Sequence, residues 1–229
     1  MIHPDIYAAL ARERTSTFLA RAETARLARQ LRPAARERPD KGRPVRLRDG
    51  SAVLIRPVRP ADDGLLADGF ARLSDRSRRM RFLGKKEELS AAELRYYANV
   101  DHHDHEALIA LDPAGGRCVG VGRYVRDADD PRAAEIALTV IDDWQGRGLG
   151  TKLLARLSYR ARQEGICRFT AVVSSDNVPM GMLLGNVGAE ESGRSFGTVE
   201  YEIALAGAEE YSLDWWFRSV EDGSVFAWR

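Results

Sequence analysis

Gln145-Gly146-Arg147-Gly148-Leu149-Gly150-Thr151 joins a predicted strand to a predicted helix, and its reading decides the fold. Upstream, Glu135 to Ile141 (EIALTVI) is a short apolar run rich in β-branched residues, the pattern of a buried strand. Downstream, Leu153, Leu154, Leu157 and Ala161 recur at helical spacing, which predicts an amphipathic helix over Thr151 to Gln163. The three glycines between them permit a tight turn and leave no Cβ to block a ligand. The first-turn amides of a helix lack internal partners and carry the positive end of its dipole. Together these features make an anion cradle, to which Arg147 adds a full charge. A ligand carrying phosphates is expected.

The spacing of the glycines narrows the ligand. The stretch lacks the Gly-Lys-Ser/Thr ending of a nucleotide-triphosphate loop and also lacks Gly-x-Gly-x-x-Gly. Its pattern is Gln-x-x-Gly-x-Gly, and here the sequence resembles the GCN5-related N-acetyltransferase family, whose acetyl-coenzyme A signature follows the fourth strand. Other segments resemble the family too. Cys167 to Ser174 (CRFTAVVS) reads as the next strand, followed by Asp176-Asn177-Val178-Pro179-Met180 and a short helix closed by Gly188. Near the start, Val45 to Arg56 reads as two strands around an Asp49-Gly50 turn, and Arg56 to Asp62 resembles the family's entry into its first helix. The resemblance spans roughly residues 45 to 205. Within the family, Val100 to Leu111, Val119 to Val140 and Ser175 to Met180 resemble the catalytic domain of bacterial protein lysine acetyltransferases.

The resemblance implies an α/β (α+β) fold: a mixed, mostly antiparallel twisted sheet flanked by helices. That sheet would splay between the family's fourth and fifth strands, here Glu135 to Ile141 and Cys167 to Ser174. It implies acetyl-coenzyme A as co-substrate and no metal. The backbone near Val140 would pair with the pantetheine arm, the amides of Gln145, Gly146, Arg147, Gly148, Leu149, Gly150 and Thr151 would hold the pyrophosphate, and Asn177 would bond the pantetheine or order the cleft wall. An alkylammonium acceptor has a pKa near ~10.4, so attack on a thioester needs a base. Glu135 is the candidate. It heads the strand that ends in the cradle, shares a face with Ala137, Thr139 and Ile141, and stands where the resembling acetyltransferases place their catalytic Glu. Many family members carry a tyrosine acid seven residues after the Asn. That position is Leu184 here, and with only Tyr201 as a substitute no general acid is assigned.

The expected reaction is acetyl transfer to a primary amine, with protein lysine the leading acceptor on resemblance. The alternatives are a small-molecule amine acceptor and, in another class, a non-catalytic acyl-coenzyme A-sensing module. The predicted order is two strands, three helices, three strands, then helix, strand, helix, strand.

The chain has 229 residues, 44% of them hydrophobic, enough for one domain core with additions at its ends. A net charge of +1 gives no global pointer to nucleic acid. The first 50 residues hold 12 Arg/Lys against 6 Asp/Glu. Residues 1–31 read as a basic amphipathic helix that lies on the domain or serves as an interaction arm, and residues 32–44 as a Pro-rich linker. The acetyltransferase domain is expected over 45–206 and an aromatic extension over 207–229, which packs on its own domain or forms a homodimer contact. With only the short basic helix before the domain, no cyclic-nucleotide regulation is expected. Cys118 and Cys167 are expected as reduced core residues on strands of a cytoplasmic protein. No apolar stretch is long enough to span a bilayer. Asp101-His102-His103-Asp104-His105 puts His103 and His105 on one face of an extended segment, but without a further ligand motif it does not make a metal site.

Overall fold

The structure is a computed structural model that describes residues 43–205 other than residue 196. The expected helix over 1–31, most of the linker and the aromatic extension lie outside the described residues. Arg43 and Pro44, the end of the expected linker, already belong to the first strand. In chain order the elements are β1 (Arg43–Arg46), β2 (Ala52–Pro57), α1 (Asp63–Ala71), α2 (Asp75–Phe82), α3 (Ala91–Ala98), β3 (His105–Leu111), β4 (Cys118–Arg126), β5 (Ala133–Val140), α4 (Leu149–Gln163), β6 (Arg168–Ser174), α5 (Val178–Asn186), β7 (Glu190–Ser195) and β8 (Thr198–Ala204).

The strands form one sheet in the order β1-β2-β3-β4-β5-β6-β8-β7. Every pairing is antiparallel except β5 with β6. Helices cover both faces of its centre. On one face α4 lays Leu153, Leu157 and Ala161, all fully buried, into a core with Tyr124, Ile136 and Phe169. On the other face Leu66 of α1 and Tyr97 and Ala98 of α3 pack with Ala107, Ile109 and Leu111. Covered on both sides, β3 is buried along its whole length. Its sequence is accordingly a continuous apolar run after Glu106 rather than an alternating one.

The turn from β2 into the first helix is closed by a buried ion pair. Arg56 grips Asp62 with two hydrogen bonds, Nη1 to Oδ2 at 2.6 Å and Nη2 to Oδ1 at 2.7 Å, and the Arg59 amide donates to the same carboxylate at 2.7 Å. A short 3-10 turn at Pro60–Asp62 leads into α1. Ser74 caps α2 by accepting from the Ser77 amide, and Ser90 caps α3 by accepting from the Glu93 amide.

Two expectations are corrected. β7 (EESGRS) was not expected, because an exposed edge strand that buries nothing has no apolar alternation to reveal it. Cys167 is exposed, in the turn before β6, and not in the core; Cys118 is buried on β4.

Candidate active site

The site grows from the only parallel pairing of the sheet. β5 and β6 pair at just three positions, Ala133 with Arg168, Ala134 with Phe169 and Glu135 with Thr170. Beyond Glu135 the strands part. β5 stays with β4 as far as Val140 opposite Gly120, and β6 stays with β8 as far as Ser174 opposite Thr198. The parting opens a cleft of about 610 Å³, and Glu135, half-buried, stands at its apex. The expected splay between these two strands is present.

At the open end β5 runs through Ile141 and a 3-10 turn, Asp142–Trp144, into the glycine stretch. Gly146 and Gly148 have positive φ, 72° and 87°. Gly148 is the N-cap of α4, so no side chain caps the helix, and its first turn carries no acidic residue. The amides of Leu149, Gly150 and Thr151 are left for an outside acceptor. At Gly150 the backbone comes close to α5: a Cβ there would meet Leu183 Cδ1 at 2.9 Å, and the leucine side chain would have to shift. This cradle, which side chains would fill, fits a phosphate-bearing group.

Neighbouring residues hold the cradle in shape. The Gln145 side chain donates to the Val140 carbonyl at 3.0 Å and to Ser77 Oγ at 3.3 Å. Arg147 pairs with Asp49 at 3.1 Å, donates to the Asp143 carbonyl at 2.6 Å and stacks on Trp144. Its charge is thus shared with the turn between β1 and β2, from which the Arg48 amide donates back to the Arg147 carbonyl at 3.0 Å. Across the cleft, Asn177 caps α5, its Oδ1 accepting from the Met180 amide at 3.2 Å.

The structure brings every sequence-expected site residue to one place: Glu135, Val140, Gln145 to Thr151 and Asn177 all line the cleft. Leu184 does not, being fully buried in the main core, while Leu183 does. Tyr201 also stands outside the lining, its hydroxyl beside Gly181 of α5.

Sequence reasoning missed the opposite wall. Arg76, Ser77, Met80, Arg81 and Phe82 of α2, together with Arg48 and Tyr97, line the same cleft. The arginine-rich Asp75 to Phe82 segment is legible only as a helix, and nothing local shows that it folds over the cleft. What holds it is Asp142, whose carboxylate accepts from the Ser74 amide (3.0 Å), Ser74 Oγ (2.7 Å) and Ser77 Oγ (2.8 Å). Burial alone would raise the Asp142 carboxyl, but these donors outweigh it and hold the group below the usual carboxylate value.

The histidine run lies elsewhere. His102 Nδ1 bonds Glu106 at 2.7 Å, and the fully buried Glu106 also takes Arg160 at 3.0 Å. His103 pairs with Glu164, whereas His105 stacks on Tyr96 and lies 3.2 Å from Arg123. Among the described residues no group of three or more His, Cys, Asp or Glu is arranged to hold a metal ion.

A sheet split at a glutamate, with a glycine cradle at its open end, is the arrangement of an acyltransferase that works on coenzyme A thioesters. The chain belongs to the acetyltransferase (GNAT) family, whose family model matches residues 71–183. Acetyltransferase PA5475 of Pseudomonas aeruginosa is 37% identical over 150 residues, covering 63% of this chain and 80% of that protein. Acetyltransferase Pat of Mycolicibacterium smegmatis is 34% identical over 160 residues, covering 70% of this chain; the chain spans about half, 48%, of that relative's length. Among solved structures, the GNAT domain of S. lividans PAT is 31% identical with a TM-score of 0.68, covering 74% of this chain and 99% of that one. The family draws its acetyl group from acetyl-coenzyme A. No helix among the described residues is long and apolar enough to cross a membrane.

Proposed function

We propose that this protein transfers acetyl from acetyl-coenzyme A to a primary amine, protein lysine being the leading acceptor, with Glu135 as the general base. The observation that carries the reading is the position of Glu135, the last residue at which β5 and β6 pair, at the apex of a cleft whose open end is the glycine cradle. The first-turn amides of α4 bind the pyrophosphate, each charge-assisted hydrogen bond contributing roughly 1.5–3 kcal/mol. The edge of β5 freed by the split orients the pantetheine arm, and Asn177 orders the facing wall by capping α5.

Acetyl-coenzyme A supplies an activated acyl thioester. Glu135 takes a proton from the acceptor ammonium directly or through one water, the neutral amine bonds to the acyl carbon, the carbon–sulfur bond breaks, and the surplus proton on the new amide nitrogen passes to the thiolate or to water. The thiolate is a fair leaving group, so no tyrosine acid is needed, in keeping with Leu184 in the core. Protein lysine is favoured over a small amine by the resemblance of Val100 to Leu111, Val119 to Val140 and Ser175 to Met180 to bacterial protein lysine acetyltransferases. A cytoplasmic location belongs to the same reading.

Thiol release from acetyl-coenzyme A, screened against protein and small-amine acceptors, tests the activity. Tight cofactor binding without release for any acceptor would instead favour the sensing module. Glu135→Gln is expected to lower kcat by about 10²–10⁴-fold with coenzyme A binding unchanged. Turnover near wild type in that variant would remove Glu135 from the mechanism.

A further inference from the structure

The cleft has an annex. Beneath α2 a second cavity of about 60 Å³ lies between α1, α2, β4 and β5. Its walls are chiefly Leu66, Phe70, Leu73, Val121 and Ile141, with Cys118 among them. Arg81, Phe82, Tyr97 and Thr139 line both cavities, and Thr139 is the only residue of β5 that does.

That junction coincides with the reacting group. On the coenzyme A reading, the thioester lies along β5 between the cradle, which starts at Gln145, and Glu135, which must reach the attacking amine. Thr139 stands on this stretch and on the same face as Glu135. The annex therefore adjoins the place where the acyl chain departs from the carbonyl.

Apart from the guanidiniums of Arg81 and Arg123, its walls are chiefly apolar. Burial pushes the Cys118 thiol up to about 11, so it stays neutral. Arg81 stacks 5.0 Å from the centre of the Phe82 ring, and the guanidinium of the buried Arg123 is also engaged by neighbours. It stacks 4.3 Å from the centre of the Tyr97 ring and lies 3.2 Å from His105 Nε2. An incoming carboxylate would lose its hydration against mostly apolar walls and find both guanidiniums already stacked on rings, which is costly.

We infer that the annex receives the tail of an acyl chain longer than acetyl, so that the donors of this enzyme include short straight-chain aliphatic acyl-coenzyme A thioesters. The inference rests on the coenzyme A reading above. Size sets the limit. A cavity of about 150 Å³ takes the six carbons of benzene, roughly 25 Å³ each, so the annex has room for about two carbons beyond acetyl. That corresponds to butyryl.

Calorimetric titration of the protein with coenzyme A and with its acetyl, propionyl, butyryl, hexanoyl and succinyl thioesters tests this without knowledge of the acceptor. Affinity is expected to rise about fourfold per methylene from acetyl to butyryl and to fall again at hexanoyl, with succinyl no tighter than acetyl. Val121→Phe, which fills the annex, should bring the butyryl-to-acetyl affinity ratio to about one. Both thioesters are measured on the same preparation, so partial unfolding cancels. Val121→Ala should move the optimum from butyryl toward hexanoyl, which gives a second reading if the larger side chain prevents folding. A flat or falling series from acetyl to butyryl, or a ratio indifferent to Val121, overturns the annex while leaving the cofactor site intact. Tighter binding of succinyl overturns its apolar character. Failure to bind coenzyme A or any thioester overturns the cofactor reading and the annex with it.

Discussion

On the coenzyme A reading, Gly148 serves both backbone and ligand. Its φ of 87° is unfavourable for a residue with a Cβ, by roughly 1–2 kcal/mol. A Cβ there would also press on Arg48 Cγ at 3.3 Å. As the N-cap it leaves the first-turn amides of α4 open, which a longer side chain would cover. Gly148→Glu is therefore expected to weaken coenzyme A binding by about 100-fold, the loss of one or two charge-assisted bonds, with thermal stability reduced more modestly. Calorimetry and a melting curve on the same preparation separate the two effects. Binding within a fewfold of wild type would mean that the pyrophosphate lies elsewhere. Glycines in this register could be read from the sequence. The partners of Arg147 could not, because Asp49 lies on a distant turn that only folding brings alongside.

At the scale of elements, α2 is the part whose place the sequence hides. It supplies five of the residues that line the cleft, yet the residue that fixes it, Asp142, lies in the turn after β5. Asp142→Ala removes one acceptor from three donors on an exposed surface. The expected cost is about 1 kcal/mol of stability by urea unfolding. On the reading that α2 forms the acceptor wall and α4 anchors coenzyme A, KM for the amine should rise more than the dissociation constant for coenzyme A. Equal effects on both would show that α2 does not form the acceptor wall. Elements that bury an apolar face were legible by periodicity, as β5, α4 and β6 were. The edge strand β7, exposed along its length, was not.

Across the whole molecule, the Arg56–Asp62 pair joins the sheet to the first helix with side chains 9% and 6% exposed. Breaking it should be costly: Asp62→Ala leaves a buried guanidinium without its partner, an expected loss of about 3–5 kcal/mol measured by denaturant unfolding. A loss below about 1 kcal/mol would show that solvent reaches the pair. The same group predicts acid behaviour. Burial raises the Asp62 carboxyl, but hydrogen bonds from Arg56 and Arg59 outweigh it and hold the pKa below the ordinary value of 3.8. A carboxylate depressed on folding stabilises fully above its unfolded pKa and loses that contribution as pH falls through the folded one. Unfolding scans should therefore show stability steady above about pH 4–5 and falling below about pH 4, with the fall smaller in Asp62→Ala. The sequence by itself determined the sheet's central strands, the cradle and the glutamate, because strand alternation, helical spacing and glycine register are local patterns within short stretches. Only the tertiary structure decided how far β5 and β6 run together before they part, where α2 lies, and that a small apolar annex adjoins Thr139. Those features depend on hydrogen bonds and packing between residues far apart in the chain, which no local pattern records.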